Sequence, residues 1–389
     1  MIIHLAHDGR FIDHVINVFE KASPHKNIYL IEVEDIKLPL NSIKSKNPNI
    51  RKFNKLNSEF IKEIVLQNQP TSIIIHNLLT YRKFKFDIIK NAPKTIHFHW
   101  MCWGGDLYPH INKYRKSLYI YLPEKKEDTT IHIKYLTSQL LSKLAPNIFY
   151  KFYLQRKGLD HPKAYQNIIK KIKTISTVLP DEQQIVKKYL NKNIRYLPFK
   201  YISLESALLY DNSPICKESN YLIGNSAHPT SNHMDAFNLI ANTNVSNIFV
   251  PLSYGNEGHK RNVIYEGNQL FGERFKPILE FIPLDEYNKI LLKCGNVIMN
   301  QTRQQAVGNI VASLWFGARV FLRKENLVYN YFKRNGIILY LMDDLRKERK
   351  LLSYNTLAKH NRPLLKKMYS EIVVISETKN LIKYLNQAT

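Results

Sequence analysis

The sequence has few cysteines and no long apolar run. Only three of its 389 residues are cysteines (Cys102, Cys216 and Cys294), and they lie far apart without a C-x-x-C pair. This usage excludes a disulfide framework and predicts reduced thiols in the cytosol. No uncharged apolar stretch approaches the ~20 residues that cross a bilayer, and residues 1–8 lack the regions of a signal peptide. We therefore expect a protein that stays in the cytosol or lies on a membrane without spanning it.

Several motifs of common enzyme classes are also missing. The sequence contains no G-x-x-x-x-G-K-[ST] phosphate loop, no G-x-S-x-G nucleophile elbow and no H-E-x-x-H pair. Cysteine and histidine pairs at metal-binding spacing are absent too. The acidic doublet Asp343-Asp344 lies late in the chain and is not interpreted as a metal site. We expect neither a bound metal nor a cofactor.

Acidic residues are scarce relative to basic ones. The chain has 57 Lys and Arg against 32 Asp and Glu, which gives a formal net charge of +25. Such an excess favours anionic partners, namely nucleic acid, an acidic membrane surface or phosphorylated substrates, although the Lys, Asn, Ile and Tyr bias of AT-rich genomes explains part of it. The basic residues are dispersed and no RNA- or DNA-binding signature is present. A nucleic-acid-binding protein remains the alternative from another functional class, and no nucleic acid is expected.

Apolar runs alternate with helical patterns in both halves of the chain. In the first half the runs are residues 2–6, 28–33, 72–76, 95–99 and 174–178, and in the second 221–223, 248–252, 278–282, 297–299, 320–322 and 337–340. Helical patterns between them include residues 11–21, 56–66, 232–240, 284–292 and 308–315. Continuous apolar strands alternating with helices are typical of parallel sheets covered on both faces. Because the pattern occurs twice, we predict two doubly wound, Rossmann-like α/β domains.

The boundary between the two domains is predicted within residues 200–218. A turn signal, Asp211-Asn212-Ser213-Pro214, lies in this stretch. We place the first domain at residues 1–205 and the second at 206–389, with the C-terminal helix in the second. Ligands of such sheets bind at the carboxyl ends of the strands, so we expect a central cleft that both domains face.

Residues 109–173 interrupt the alternation with a basic and aromatic segment. Leu140, Leu141 and Leu144 share one helical face, and residues 148–157 are rich in tyrosine, phenylalanine, lysine and arginine. Such a segment suits a membrane interface, but an ordinary helix packed on the sheet has the same pattern. Both interpretations stay open at this point.

Two strand-to-helix turns in the second half suit a phosphate group. Gly224-Asn225-Ser226 ends a strand, where small residues and a following helix can approach an anion. The second turn is residues 303–309, with the sequence Arg303-Gln304-Gln305-Ala306-Val307-Gly308-Asn309, in which arginine offers a forked donor and glycine opens space at a helix start. A capped turn and a solvated loop are the structural alternatives. Tyr254 follows another strand and can stack on a sugar or base, or simply cover the sheet edge.

The candidate sugar and catalytic residues lie in the first half. Trp103, Gly104, Asp106 and Tyr108 follow an apolar strand, and rings with a carboxylate suit a carbohydrate pocket. An aromatic core corner with Asp106 as a cap is the alternative. Asp8 and His76 also follow strands and are further candidates.

Together these pieces resemble glycosyltransferase family 56, the dTDP-N-acetylfucosamine:lipid II N-acetylfucosaminyltransferases of enterobacterial common antigen synthesis. The resemblance rests on the Trp103–Tyr108 segment, on Gly224–Ser226 followed by Asn232-His233, on residues 250–254, and on Arg303–Gln305 with Gly308. These pieces occur in the family's order and spread over most of the chain.

The resemblance implies a metal-independent GT-B fold with the donor in the C-terminal domain and the acceptor in the N-terminal one. The residues implied to hold the nucleotide-sugar are Gly224, Asn225, Ser226, Tyr254, Arg303, Gln304, Gln305, Gly308 and Asn309. Those expected around the acceptor are Trp103, Gly104 and Tyr108. Asp106, His76 or Asp8 would position or deprotonate the acceptor hydroxyl.

The resemblance also implies a reaction and a location. A sugar, 4-acetamido-4,6-dideoxygalactose, would pass from a dTDP-sugar to a polyprenyl-diphosphate-linked saccharide at the cytoplasmic face of the bacterial inner membrane, whose anionic surface suits the positive charge. The chain departs from the family in an apparent insertion at about 109–145 and in Met101, where a polar residue such as histidine is expected. Both changes lie on the acceptor side, so a GT-B enzyme with another donor or acceptor, for capsule or O-antigen, is the alternative.

Overall fold

A computed structural model of the chain describes residues 1–54, 63–64, 67–78, 82–108, 111, 162–208, 214–243, 246–345 and 351–387. The described residues of Met1–Ile111, Tyr150–Ser203 and Glu371–Thr389 form one compact unit, and those of Leu204–Ser370 form a second. The predicted insertion at 109–145, apart from Ile111, and the basic aromatic segment at 135–157 lie outside the described residues. Within the described ranges, no helix is both long and apolar enough to cross a bilayer.

The first unit is built around a parallel sheet of seven strands. Its elements in chain order are β1 (Ile2–His7), α1 (Arg10–Ala22), β2 (Asn27–Glu32), β3 (Ile50–Phe53), β4 (Ser72–His76), α2 (Arg82–Asn91), β5 (His97–Cys102), α3 (Pro162–Lys171), β6 (Thr174–Thr177), α4 (Glu182–Tyr189) and β7 (Arg195–Tyr196). The strand order is β3-β2-β1-β4-β5-β6-β7. The central strands are buried along nearly their whole length because helices cover both faces.

The second unit repeats this architecture with six parallel strands. Its elements are α5 (Leu204–Leu208), β8 (Tyr221–Ile223), α6 (His233–Ile240), β9 (Ile248–Pro251), α7 (Glu257–Phe271), β10 (Phe275–Ile278), α8 (Leu284–Lys293), β11 (Asn296–Met299), α9 (Val307–Trp315), β12 (Arg319–Leu322), α10 (Leu327–Arg334), β13 (Tyr340–Leu341) and α11 (Tyr354–Tyr369). The strand order is β10-β9-β8-β11-β12-β13. The prediction of two doubly wound α/β domains is thereby confirmed.

The C-terminal helix corrects the expected division of the chain. This helix, α12 (Glu371–Gln387), belongs to the first unit rather than to the second. Val374, Leu381 and Leu385 are buried in the same apolar cluster as the inner face of α1. Ser72 at the start of β4 also donates to the carbonyl oxygen of Leu385 over 2.7 Å. The sequence did not indicate this arrangement, because the chain returns to the first unit only in its last helix, after the whole of the second unit.

Two short strands and several strand positions differ from the sequence prediction, among them β13, which spans Tyr340–Leu341 where residues 337–340 were predicted. The structure adds β3 and β7 at the two edges of the first sheet, where half-exposed residues leave no apolar run to recognise. In the second sheet β10 spans Phe275–Ile278, whereas the apolar pattern predicted residues 278–282. Leu279 and Phe281 are exposed, so their apolar character does not mark a buried strand.

Each sheet has one point where the order of winding reverses. In the first sheet this point lies between β1 and β4, and in the second between β8 and β11. The loops that leave neighbouring parallel strands there diverge to opposite faces, which opens a crevice at the carboxyl edge of the sheet. The candidate residues of each unit are therefore considered at that edge.

Candidate active site

The turn after β8 packs tightly on the helix that follows it. Gly224 has a positive φ of 69°, and a Cβ atom at this position would lie 2.6 Å from Nε2 of His233. His233, at the start of α6, is fully buried, and burial lowers its pKa to about 3. Its Nδ1 lies 3.1 Å from Nε2 of His259. A neutral imidazole and a glycine thus bring the backbone of this turn close to the N-terminus of α6.

Asn225 is the centre of an amide cluster at the crevice of the second sheet. Its Oδ1 accepts from Nε2 of Gln305 at 2.9 Å and from Nε2 of Gln301 at 3.2 Å. Its Nδ2 donates to the hydroxyl of Tyr254 at 3.1 Å. Asn225 itself is only partly buried. The Tyr254 ring is 52% exposed there, so it is available to a ligand.

Gln305 is held from both ends. Its Oε1 accepts from the hydroxyl of Thr230 at 2.9 Å, and Thr230 also lies 2.8 Å from Nδ1 of His228. Ser231 donates to the carbonyl of Ser226 at 3.3 Å. Ser226 thus contributes its backbone to this arrangement and is buried. The two predicted turns, at 224–226 and 303–309, come together through these bonds.

Two glutamine side-chain oxygens on the loop after β11 are buried without a hydrogen-bond partner among the described residues. They are Oε1 of Gln301 and Oε1 of Gln304, and both side chains are at least 95% buried. Unsatisfied buried acceptors are uncommon in native proteins, because each costs free energy that water would otherwise recover. They therefore suit a donor group of a bound ligand, such as a hydroxyl or an amide N–H.

The loop from β11 leads into the N-terminus of α9 at the same edge. Ala306 adopts a left-handed conformation with φ of 59°, and α9 begins at Val307, so Gly308 is its second residue. No side chain caps this end. The first N–H groups of a helix lack partners within the helix and carry a partial positive charge. Asn309 donates from Nδ2 to the Tyr287 hydroxyl at 2.9 Å, and Arg303 donates to the carbonyl of Gln304 at 2.8 Å.

In the first unit, Asp106 is a buried carboxylate that organises two loops. Its Oδ2 accepts from Nε1 of Trp100 at 2.7 Å and from the backbone N–H of Leu78 at 2.9 Å, and its Oδ1 accepts from the N–H of Trp103 at 2.9 Å. Burial raises its pKa, while these bonds act in the opposite direction. Since both oxygens are occupied, the geometry favours the structural alternative noted in the sequence, a cap that fixes the loops after β4 and β5.

Asp8 is likewise engaged in holding backbone. It accepts from the N–H groups of Asn41 at 2.6 Å, Ser42 at 3.0 Å and Ile43 at 3.1 Å. These bonds attach the loop between β2 and β3 to the start of α1. Asp8 directly follows β1 and so lies at the predicted sheet edge, but its carboxylate oxygens accept hydrogen bonds from this loop.

His76 ends β4 in a fully buried position. Its Nε2 lies 3.0 Å from Nδ1 of His4, and burial, followed by the nearby basic groups, holds its pKa well below the usual range. The buried ammonium of Lys85 donates to the carbonyls of His76 and Asn77, each at 2.8 Å. Burial lowers the pKa of Lys85 to about 8. The sequence pattern did not single out Lys85, because a lysine in a helix is normally on the solvent side.

Aromatic rings gather around Trp103 at the carboxyl edge of the first sheet. The Trp103 ring centroid lies 5.3 Å from that of Phe11, 6.1 Å from His76, 6.3 Å from His7 and 6.4 Å from Tyr201. Trp103 and His7 are only partly buried. This half-open ring cluster has the character of a carbohydrate-binding surface.

The other members of the Trp103 segment support its backbone. Gly104 has a φ of 81°, and its carbonyl oxygen accepts from the N–H of Leu107 at 3.0 Å and of Tyr108 at 3.1 Å. Tyr108 is fully buried, so it contributes to the loop rather than to an open surface. Of the three residues expected around the acceptor, Trp103 is the one that reaches the open side.

Hydrogen bonds join three of the nine donor residues named from the sequence into one cluster. Asn225, Gln305 and Tyr254 are joined directly by hydrogen bonds. The sequence analysis missed Gln301, Thr230 and Ser231, which complete the same cluster. Their positions after β11 and before α6 were visible, but their role required the contact between two loops 75 residues apart. Within the described ranges, no three histidine, cysteine, aspartate or glutamate side chains are arranged to hold a metal ion.

Comparison with known proteins decides the family. The sequence model of the 4-alpha-L-fucosyltransferases, glycosyl transferase group 56, matches residues 163–366, a little over half of the chain. The chain belongs to glycosyl transferase group 56. This confirms the resemblance seen in the sequence and shows that the protein is a glycosyltransferase. The match includes the whole amide cluster and the start of α9, whereas Trp103 and Asp106 precede it.

Solved structures show that this group 56 protein has the GT-B fold. Sucrose-phosphate synthase from Thermosynechococcus elongatus is similar with a TM-score of 0.67, 10% identity and 100% of both chains covered. HepE of Anabaena in complex with UDP and glucose gives a TM-score of 0.62 at 10% identity, covering 98% of this chain and 99% of that one. An E. coli trehalose-6-phosphate protein bound with UDP-2-fluoro glucose gives 0.60 at 8% identity, covering 100% and 99%. At such low identity, these similarities show the fold alone.

Proposed function

We propose that this group 56 glycosyltransferase transfers a sugar from a dTDP-sugar, specifically dTDP-4-acetamido-4,6-dideoxygalactose, to a polyprenyl-diphosphate-linked saccharide. The donor binds at the carboxyl edge of the second sheet. The observation that carries the proposal is the convergence of the Asn225 amide cluster and the uncapped N-terminus of α9 on one edge. Family membership supports the transfer of a sugar, and the donor and acceptor named here are the part that experiment must test.

The diphosphate of the donor suits the donor-rich side of this edge. The N-terminal N–H groups of α9 and the remaining side-chain N–H of Asn225 offer hydrogen bonds to phosphate oxygens. Arg303, on the same loop, supplies a full positive charge to the leaving nucleotide diphosphate. We propose that these groups, without a metal, balance the charge that develops as the glycosidic bond of the donor breaks.

The sugar of the donor suits the two unpartnered glutamine oxygens. A buried acceptor is satisfied by a ligand hydroxyl or by the N–H of an acetamido group. Gln304 Oε1 and Gln301 Oε1 are two acceptors of this kind on the loop after β11. An acetamido sugar would therefore bind there more tightly than its deoxy analogue without the N–H donor.

We place the acceptor saccharide on the Trp103 ring cluster of the first unit. Asp106 and Asp8 are assigned positioning roles, because their oxygens already accept backbone or indole N–H groups. Among the predicted bases, His76 is fully buried. His7, which the sequence analysis did not name, lies beside Trp103 and is only partly buried. Burial, followed by Lys85, lowers its pKa to about 4, so at neutral pH it is uncharged but a weaker base than an ordinary histidine, and we assign it the role of orienting the acceptor hydroxyl.

The lipid part of the acceptor places the reaction at a bilayer surface, with the saccharide and its diphosphate facing the cytoplasm. The net charge of +25 favours an anionic membrane over a neutral one.

A transfer assay tests the proposal. The purified chain is incubated with dTDP-4-acetamido-4,6-dideoxygalactose and a polyprenyl-diphosphate-linked disaccharide, and the lipid product is weighed by mass spectrometry. An added mass of one acetamido-dideoxyhexose residue supports the proposal. The same product with UDP-sugars only would keep the transfer and replace the donor, and no product with any lipid-linked acceptor would refute the assigned acceptor class.

A further inference from the structure

Tyr287, on α8, has its hydroxyl beside the start of α9. The hydroxyl oxygen accepts a hydrogen bond from Nδ2 of Asn309 at 2.9 Å. Asn309 is the third residue of α9, and the side chains of a helix lean toward its N-terminus. The next residue of α8, Asn288, donates from Nδ2 to the carbonyl oxygen of Ala207 at 3.0 Å and so attaches α8 to α5. The Tyr287 hydroxyl is therefore held next to the first turn of α9.

The Tyr287 hydroxyl can donate a hydrogen bond as well as accept one. Burial, followed by the neighbouring phenol of Tyr254, raises the pKa of Tyr287 above its usual range, so the hydroxyl keeps its proton. Asn309 occupies a lone pair of the oxygen and leaves the proton unused. Among the residues that the structure describes, no acceptor takes this proton. It is available to an acceptor atom of a ligand.

Tyr254 repeats this arrangement at the carboxyl end of β9. Its hydroxyl accepts from Nδ2 of Asn225 at 3.1 Å, and the described ranges contain no acceptor for its proton. The backbone of Tyr254 is fixed to the turn after β8, because its carbonyl oxygen accepts from the N–H of Ala227 at 2.8 Å. Two phenols are thus oriented by asparagines of the candidate donor site, and each has a proton to donate.

The first turn of α9 adds backbone donors beside Tyr287. The first N–H group bonded within this helix is that of Ile310, which donates to the carbonyl oxygen of Ala306 at 3.0 Å. The N–H groups of residues 307–309 have no acceptor in the described part of the chain, and they carry the positive end of the helix dipole. A ligand that meets these groups must offer several acceptor oxygens and negative charge. A phosphate group offers both, whereas a nucleobase or a neutral sugar carries no charge.

We propose that Tyr287 binds the donor substrate directly, its hydroxyl donating a hydrogen bond to a phosphate oxygen of the nucleotide diphosphate. This inference rests on the donor site proposed above and adds to it a residue of α8. Asn309 then has a positioning role, since its amide orients the Tyr287 hydroxyl. When the bond between the anomeric carbon and the phosphate oxygen breaks, the electron pair stays on that oxygen. The hydroxyl stabilises the added charge by its hydrogen bond and keeps its proton.

Calorimetric titration of the full chain with dTDP, UDP and inorganic pyrophosphate tests the inference. Tyr287→Phe removes the hydroxyl, Asn309→Ala removes the amide that orients it, and the double variant separates the two effects. The matched control is Tyr340→Phe, on β13 at the far edge of the same sheet. Its hydroxyl also accepts one N–H, from Leu352 at 3.1 Å. Urea unfolding verifies that every variant is folded.

We expect Tyr287→Phe to weaken binding of each diphosphate by about tenfold or more, because the lost hydrogen bond has a charged acceptor. The factor should be the same for dTDP, UDP and pyrophosphate, since the hydroxyl contacts no base. Tyr340→Phe should stay within about twofold of the original chain. In the Asn309→Ala background, Tyr287→Phe should still weaken binding by at least about threefold, because the hydroxyl itself contacts the phosphate.

Three results would overturn the inference. The first is binding by Tyr287→Phe within about twofold of the original chain. The second is a loss with a nucleotide but not with pyrophosphate, which would place the hydroxyl on the nucleoside. The third is no further loss in the Asn309→Ala background, which would mean that Tyr287 only holds Asn309.

The same titrations separate this inference from the proposed function. If UDP binds and dTDP does not, the proposed donor is refuted, and UDP and pyrophosphate still decide the role of Tyr287. If dTDP binds equally to the original chain and to Tyr287→Phe, the donor stands and the inference fails.

Discussion

Gly224 has a positive φ and also lies in close contact with the side chain of His233. Its positive φ costs an alanine roughly 1 kcal/mol, and the added Cβ would also press on His233, which is itself held against His259. We predict that Gly224→Ala destabilises the second unit by about 3 kcal/mol, the sum of the conformational cost and the cost of the steric contact. Chemical unfolding measures this loss.

Gly336 is the matched control for this substitution. Its φ is 78°, but a Cβ there would have Leu364 as its nearest neighbour, at an ordinary contact distance of 3.5 Å. Gly336→Ala should therefore cost only the conformational part, about 1 kcal/mol. Equal losses for the two variants would show that the His233 contact does not constrain the turn.

Asn225 provides the sharpest test of the donor cluster. In Asn225→Asp the carboxylate can still accept from Gln301 and Gln305, but it loses the N–H groups and adds a negative charge beside the diphosphate. We predict at least about tenfold weaker dTDP binding with little loss of stability, as measured by calorimetry. Asn330→Asp, at an exposed position of α10, is the control and should bind as the original chain does. Unchanged affinity of Asn225→Asp would exclude this residue from the diphosphate site.

At the residue scale, the sequence identified which residues lie in the candidate sites more accurately than it identified what each residue does there. Asn225, Gln305 and Tyr254 were named from their positions after strands, and the structure joins them. Asp106 was named for catalysis, yet its oxygens are occupied by indole and backbone N–H groups. Which atoms surround a carboxylate depends on loops from different strands, and a single sequence does not determine those contacts.

The helix α12 packs against elements that are distant from it in the sequence. Its buried face packs on α1, and Lys21–Glu371 and Lys200–Glu377 ion pairs fasten it to the first unit. We predict that Leu385→Ala destabilises the first unit by roughly 2–4 kcal/mol, because the site is fully buried.

Hydrogen exchange locates the effect of Leu385→Ala. Amide protection should fall in β1, β2 and β4 and remain in β8 and β11. Ile372→Ser on the exposed face of the same helix is the control and should leave both units unchanged. Loss of protection in β8 would contradict the assignment of α12 to the first unit.

Elements were predictable where burial is continuous and less so at sheet edges. The buried strands β1, β4, β8 and β11 match their apolar runs closely. The edge strands β3 and β7 carry arginine and lysine and gave no signal. The C-terminal helix was recognised as a helix, but the elements that it packs against were not. An amphipathic pattern shows that one face of a helix is buried, but it does not show which element covers that face.

Across the whole molecule, buried neutral histidines make stability depend on pH. Burial lowers the pKa of several histidines in both units, to about 3 for His4 and His233 and well below the usual range for His76, His99 and His259. Their pKa in the unfolded chain is near 6.5, so the unfolded state takes up protons first as the pH falls. Stability is therefore complete above about pH 6.5 and is lost progressively below it.

We predict that the free energy of unfolding falls steeply between pH 6.5 and pH 5. Each such histidine contributes up to about 1.4 kcal/mol per pH unit in this range. Urea unfolding at a series of pH values, at constant ionic strength, measures the slope. A flat profile over this range would contradict the burial of neutral imidazoles in both units.

The central claim is that the second unit binds a dTDP-sugar donor at the edge formed by the Asn225 cluster and α9. The most direct measurement is thermal stabilisation by dTDP, with UDP, GDP and ADP for comparison, each with and without EDTA. The account predicts a clear upward shift of Tm with dTDP that EDTA does not change and that Arg303→Ala removes. No shift with any of the nucleotides, or a shift that Arg303→Ala leaves intact, would contradict it.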